Sequence, residues 1–288
     1  MPFLGVLAVA LFLPIVGAGA FSGADIVLSS CRIAQGESGS LVIRTEKGLT
    51  PRVFWEGSPI FLVFDREEEN WHGFFGVDLN ADPGKALLEV ELLPSREKKS
   101  IEVTIEEKDW GVRVLTLPRE MVELDKDTLE RVGREARIMK EALEIPPPAP
   151  QWSGHFQRPL EGEVVGPFGR RSIINEMPRS PHSGVDLRAA KGTPVSSIHE
   201  GRVILVVEHF FSGRSVVIDH GGAIQSMYFH LEESKVREGQ EVRKGQIIGL
   251  VGATGRATGP HLHFGMRVNG ARVDPMQFIV LSEQMGRP

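Results

Sequence analysis

The sequence predicts a mainly-β chain of two modules, and three observations predict it. Short strand-like runs recur about every 8 to 12 residues, with Gly, Pro, Asn and Asp between them. One helical period interrupts them, in "DKDTLERVGREARIMKEALE" from Asp125. A proline cluster, Pro146 to Pro148 with Pro150, follows that helix and starts a second strand-rich region. In the first region the runs are "DIVLSS", "GSLVIRT", "RVFWEG", "IFLVFD", "WHGFFGVD", "ALLEVELL", "SIEVTIEE" and "GVRVLTL". Their number and spacing predict a β-sandwich of immunoglobulin-like type over residues 21–118.

The helix and the prolines predict a helical and proline-rich linker over 119–155. Leu129, Val132, Ala136, Met139 and Leu143 lie on one helical face, Asp127 to Glu130 offers a capping box, and Pro146 stops the helix. A proline cluster stiffens a chain and carries few tertiary contacts, so it is expected to separate two folding units. The second module, 156–288, reads as antiparallel β, with "EGEVVG", "TPVSSIHEGRVILVVEH", "SVVIDHGG", "AIQSMYFHL", "QIIGLVG" and "HLHFGMRV" as its strands. Asn269-Gly270 is a two-residue hairpin signal. Almost no helical period appears there.

Composition narrows the class. Of 288 residues 41% are hydrophobic and 25% charged, which excludes wholesale disorder. Residues 151–288 carry 16 Lys and Arg against 13 Asp and Glu, and residues 1–150 carry 17 against 25. Neither half is basic enough for a nucleic-acid partner. The first 20 residues hold no charged side chain and end in Ala18-Gly19-Ala20, which reads as a cleaved export signal. That places the chain in the periplasm, the cell envelope or the medium, as a monomer with no membrane span once the signal is removed. Cys31 is the single cysteine, so no internal disulfide forms. It is expected as a buried strand cysteine.

Chemistry concentrates in the second module, where seven of the nine histidines fall between His182 and His263. "PHSGVDLRAAKGTPV" sets His182 four residues before Asp186, "MYFHL" holds His230, and "HLH" holds His261 and His263. Alternation along a strand turns His261 and His263 to one face. Zinc takes imidazole nitrogen and carboxylate oxygen, and catalytic zinc keeps three protein ligands with a fourth position open, so two histidines and an aspartate suit it. Other chemistries lack their signatures. The chain has no His-Glu-x-x-His helix, no phosphate loop and no Gly-x-Ser-x-Gly elbow. His72, His155, His199 and His209 are read as structural or surface residues.

From "GPFGRR" at Gly166 through "HSGVDLRAAKGTPV" and "GRVILVV" to "PHLHFGMRVNGARVDP", the chain closely resembles the lysostaphin and LytM type of zinc endopeptidases, over about residues 160 to 278. The resemblance implies an antiparallel β metallopeptidase domain that cuts peptide cross-links of bacterial peptidoglycan, with one zinc per chain. It implies His182, Asp186 and His263 as metal ligands. His230 and His261 are implied as catalytic residues flanking the activated water and the substrate, one as base and one as oxyanion partner. His220 is implied as structural or as a support behind the ligands. Some family members have lost ligands and regulate cell-wall amidases instead; here every such position is filled. The stretch "SIINEMPRS", 172–180, departs from the shortest family pattern and is expected to rim the cleft.

Overall fold

The computed structural model describes residues 21–116 and 124–285. The expected signal, residues 1–20, lies outside the described residues. In the first module β1 (Ala24–Leu28), β3 (Ser38–Thr45), β6 (Leu62–Asp65) and β7 (Asn70–Gly76) form a four-stranded sheet in the order β1-β3-β7-β6. A five-stranded sheet, β2-β9-β8-β4-β5, contains β2 (Arg32–Ala34), β4 (Thr50–Trp55), β5 (Ser58–Ile60), β8 (Gly84–Leu93) and β9 (Lys98–Glu106). Alternation decides which faces meet: Ala86, Leu88 and Val90 of β8 point inward, while Leu87 and Glu89 face solvent. They pack with Val53, Trp55 and Val103 against Leu41, Ile43 and Phe75 of the other sheet. The run "IFLVFD", expected as one strand, is divided. Ser58–Ile60 pairs with β4 and Leu62–Asp65 with β7, so the chain passes from one sheet to the other at Phe61. Cys31 is partly exposed in a bend before β2, outside any strand, which corrects the buried strand position expected for it.

The run "GVRVLTL" does not complete the first module. Its strand β10 (Val112–Leu115) pairs in parallel with β12 (Arg171–Ile174) of the second module, and β12 pairs with β13 (Met177–Pro178). Helix α1 (Lys126–Leu143) is capped two residues earlier than expected. Asp125, not Asp127, takes the cap, and its carboxylate accepts the Thr128 backbone N–H at 2.8 Å. Only the C-terminal part of the helix packs closely. Met139, Ala142 and Leu143 lie on Leu205, Val217 and Met227, while Leu129 stays exposed.

The second module is built on a ten-stranded antiparallel sheet. Its path runs β11 (Val164–Gly166), β14 (Gly184–Arg188), β21 (His261–Val268), β18 (Ile224–Ser234), β17 (Gly213–Asp219), β16 (Gly201–His209) and β19 (Glu241–Val242). β15 (Pro194–Ser196) pairs with β20 (Ile247–Val251), β20 also pairs with β18, and β22 (Ala271–Val273) pairs with β21. Asn269 and Gly270 both take positive φ, as a tight hairpin between β21 and β22 requires. One element was not expected. Helix α2 (Pro275–Met285) buries Phe278, Ile279 and Leu281, and Asp274 caps it by accepting the Met276 N–H at 2.9 Å. Its apolar residues lack a clear helical stripe, which hid it. No described helix is long and apolar enough to cross a membrane.

The two modules share a core. Phe74 of β7 lies among Trp152, Phe156 and Phe278, with ring centroids 5.3 Å from Trp152 and 4.9 Å from Phe278. Around this cluster Arg272 makes a two-pronged ion pair with Asp78, at 2.6 and 3.0 Å. The Gln277 side chain accepts the Ser38 N–H at 2.9 Å and donates to the Ser38 carbonyl at 3.0 Å. The proline stretch is docked rather than free, because Gly222 donates to the Pro148 carbonyl and Gln151 to that of His220.

Candidate metal centre

β14 and β21 run antiparallel in a register that sets Asp186 directly opposite His263 and Arg188 opposite His261. Residues directly across a pair share a face, so the carboxylate and the imidazole meet above the same side of the sheet. Asp186 Oδ1 lies 3.0 Å from His263 Nδ1 and 3.2 Å from His182 Nε2. The two imidazoles approach to 3.0 Å. His182 reaches this point from the loop ahead of β14. Two glycines make the space: a Cβ at Gly166 would stand 2.2 Å from Asp186 Oδ2, and one at Gly184 2.7 Å from His263 Nε2.

The polar surroundings fix which nitrogens face the centre. The Pro167 carbonyl, 3.0 Å from His182 Nδ1, accepts that N–H, so Nε2 is the nitrogen that faces Asp186 and His263. His263 is stacked on Phe229 at 5.2 Å and nearly parallel, with Nδ1 inward. Burial alone would raise the Asp186 carboxyl. Hydrogen bonds and charge from His182 and His263 outweigh it and hold the carboxyl far below the usual carboxylate range. For His182, burial disfavours the imidazolium, but the hydrogen bond and charge of Asp186 overcome it and raise the group. His263 is pushed down, chiefly by burial. Three donor atoms from His182, Asp186 and His263, all within 4.8 Å of one another, form a group that could hold a metal ion. Two imidazole nitrogens and one carboxylate oxygen fit zinc.

His230 and His261 stand beside this group, with ring centroids 4.8 Å apart. His230 has φ 63°, at an irregularity in the β17–β18 register, and that left-handed backbone turns its side chain toward β21. Its Nδ1 donates to the Thr254 carbonyl at 2.9 Å, and His261 Nδ1 donates to the Gly259 carbonyl at 2.9 Å. With Nδ1 so engaged, Nε2 is the remaining nitrogen of each ring. Burial pushes His230 down to about 4, so it is neutral near pH 7. His261 Nε2 is 3.7 Å from Asp186 Oδ1. All five residues singled out in the sequence thus converge on one place.

The remaining histidines do not. His220 is buried behind the sheet, with Nδ1 donating to the Glu200 carbonyl at 2.7 Å and Nε2 2.8 Å from Ser226 Oγ. His199 is a core residue on Phe156. The backbone acceptors at Pro167, Thr254 and Gly259 were not identified from sequence; only the glycines around them, in "GPFG" and "GATGRATG", marked those loops. Residues 172–180 do rim the cleft, through Ser172, Ile174 and Arg179.

An antiparallel sheet carrying a His-Asp-His group beside two further histidines defines a metallopeptidase-type centre, and comparison with known proteins agrees. The description of peptidase family M23 matches residues 180–275. Over 97 residues the chain is 45% identical to the peptidoglycan DD-endopeptidase ShyB of Vibrio cholerae, a match covering 34% of this chain and 23% of ShyB. It is 41% identical over 113 residues to the DD-carboxypeptidase/endopeptidase Mpg of Neisseria meningitidis, covering 39% of this chain and 26% of Mpg. A crystal structure from Pseudomonas aeruginosa assigned to peptidase M23 superposes with a TM-score of 0.66 at 31% identity, covering 87% of this chain and 95% of that one. The chain belongs to peptidase family M23, with its peptidase module in the C-terminal half. It matches about a quarter of the length of the curated relatives named here.

Proposed function

We propose that this chain is an exported, zinc-dependent endopeptidase that hydrolyses cross-link peptides of bacterial peptidoglycan. The observation that carries the reading is the convergence of His182, Asp186 and His263 on one point, with His230 and His261 alongside. The peptidoglycan DD-endopeptidases among its relatives supply the substrate class.

The residues divide the work. His182 Nε2, Asp186 Oδ1 and His263 Nδ1 would hold zinc, which when bound polarises a carbonyl and makes a water nucleophilic near neutral pH. His230 keeps its Nε2 lone pair available because Nδ1–H is committed to Thr254 and burial keeps the ring neutral, so it takes the proton of the attacking water. His261, on the other side of the centre, is the hydrogen-bond partner of the oxygen that gains charge as the carbonyl carbon becomes tetrahedral. As the C–N bond breaks, His230 gives that proton to the departing nitrogen, so the products are a carboxylate-bearing peptide and a free amine.

The first module we read as immunoglobulin-like. Its sheet orders, with β1 and β2 divided between the two sheets and β2 pairing in parallel with β9, support that reading. Digestion of defined cross-linked muropeptides followed by mass spectrometry tests the proposal. Dimers should become monomers with one water added at a peptide bond. Cleavage in the glycan, or release of intact stem peptides from the sugar, would contradict it.

A further inference from the structure

The cleft beside the metal centre is unusually cationic. Arg113, Arg170, Arg179, Arg188 and Arg256 line it, and Asp186 is the only carboxylate among its described lining residues. They arrive from separate parts of the chain. Arg113 is on β10 of the strand contributed from the first-module side, Arg170 and Arg179 flank the small sheet of β12 and β13, Arg188 ends β14 opposite His261, and Arg256 sits in the turn ahead of β21.

Among the described residues, most of this charge has no carboxylate partner. Arg188 has Glu163 at 3.3 Å, but Arg113, Arg170, Arg179 and Arg256 make no ion pair among the described residues. Arg256 lies over the Phe211 ring at 4.2 Å. Burial disfavours its charge, and the nearby charge of Arg179 adds to that effect. Gathering like charges around a cleft opposes folding, and it does so here in a chain whose net charge is −5. The guanidinium is planar and suited to two-pronged bonding with a carboxylate, which a compact ammonium does not reproduce.

We infer that this cleft selects cross-link peptides bearing free carboxylates next to the scissile bond, over uncharged bridges such as oligoglycine, with Arg113, Arg179 and Arg256 as the specificity-determining residues. The inference rests on the endopeptidase reading above. It adds the chemical class of peptide, and it gives β10 a part in substrate recognition.

The test uses the zinc-loaded full chain and two peptides that differ only in whether their carboxylates are free or amidated. Binding is measured by calorimetry at matched ionic strength, with the scissile amide replaced by a ketomethylene group, and cleavage is followed on the hydrolysable pair. The free acid should bind at least about tenfold more tightly, the scale of one or two charge-assisted hydrogen bonds. The triple substitution R113Q/R179Q/R256Q should abolish the preference while zinc content is unchanged. Should the triple variant fail to fold, each single variant should reduce the preference on its own. Equal binding of the two peptides, or a preference that survives the substitutions, would overturn the inference. So would a polyphosphate chain that binds more tightly than the acidic peptide. Preferential binding without cleavage of either hydrolysable peptide would uphold the selectivity and refute the endopeptidase reading.

Discussion

Asp186 and His263 are direct partners across the antiparallel pair β14–β21, and their side chains touch at 3.0 Å. The metal group is therefore a property of strand register as much as of residue identity. A one-residue slip would send Asp186 to the opposite face of the sheet.

Register alone is not enough, because Gly166 leaves the room that the Asp186 carboxylate occupies. Gly166→Ala changes no candidate ligand but places a methyl group on the carboxylate. Zinc affinity, measured by competition with a chromogenic chelator, should fall at least about tenfold, the scale seen when support of a metal ligand is lost. Unchanged affinity would show that Asp186 does not bind from this position.

The two flanking histidines should separate from the ligand group. His230→Ala and His261→Ala should each retain close to one zinc by elemental analysis yet lower turnover at least about 100-fold. His263→Ala should lose the metal itself. A His230→Ala protein with near-normal turnover would remove that residue from the proton-transfer role.

The shared core predicts that the modules are stable together. Phe74→Ala, although in the first module, removes a ring packed on Trp152, Phe156 and Phe278. It should cost about 3–5 kcal/mol in denaturant unfolding. Residues 151–288 alone lose Phe74 and the Asp78 partner of Arg272, so that fragment should unfold at lower denaturant than the full chain. Equal midpoints would mean that the interface contributes little.

Stability should fall in acid, and His220 gives the sign. Burial pushes its imidazole down to about 3, whereas in the unfolded chain it takes up a proton near ~6.5. Between those values the unfolded state binds the extra proton. The contribution is thus fully present above about pH 6.5 and is lost progressively toward pH 3, with about 2 kcal/mol gone by pH 5. Asp219, raised by burial, acts in the opposite sense, losing stability as pH rises through the acid range above ~3.8. Thermal melts of the metal-free chain from pH 5 to 7 should show a rising Tm, with a shallower slope in His220→Asn. A flat profile would contradict the assignment.

Much of the site was legible in the sequence because its logic is local. His-Leu-His in a strand turns both rings to one face, and the structure has both on the metal side of β21. What stayed hidden depends on tertiary contact. The strand Val112–Leu115 has the same apolar alternation as its neighbours, and only its pairing with Arg171–Ile174 reveals which module it serves. Helix α2 carries apolar residues on its exposed side, at Val280, as well as at buried Phe278, Ile279 and Leu281, so no amphipathic stripe marks it. Its start was written in the sequence nonetheless, as a capping Asp274 followed by Pro275. The arginine cleft gathers residues from 113 to 256, and no linear window contains it.

Hydrolysis of wall peptides should depend on a metal held by His182, Asp186 and His263. The most direct test incubates the full chain with purified peptidoglycan sacculi, with chelator and after restoring zinc, and follows the release of free amino groups. Release should be abolished by the chelator, restored by one equivalent of zinc per chain, and absent from His263→Ala. Release that persists in a chain shown by elemental analysis to be free of metal would contradict that dependence.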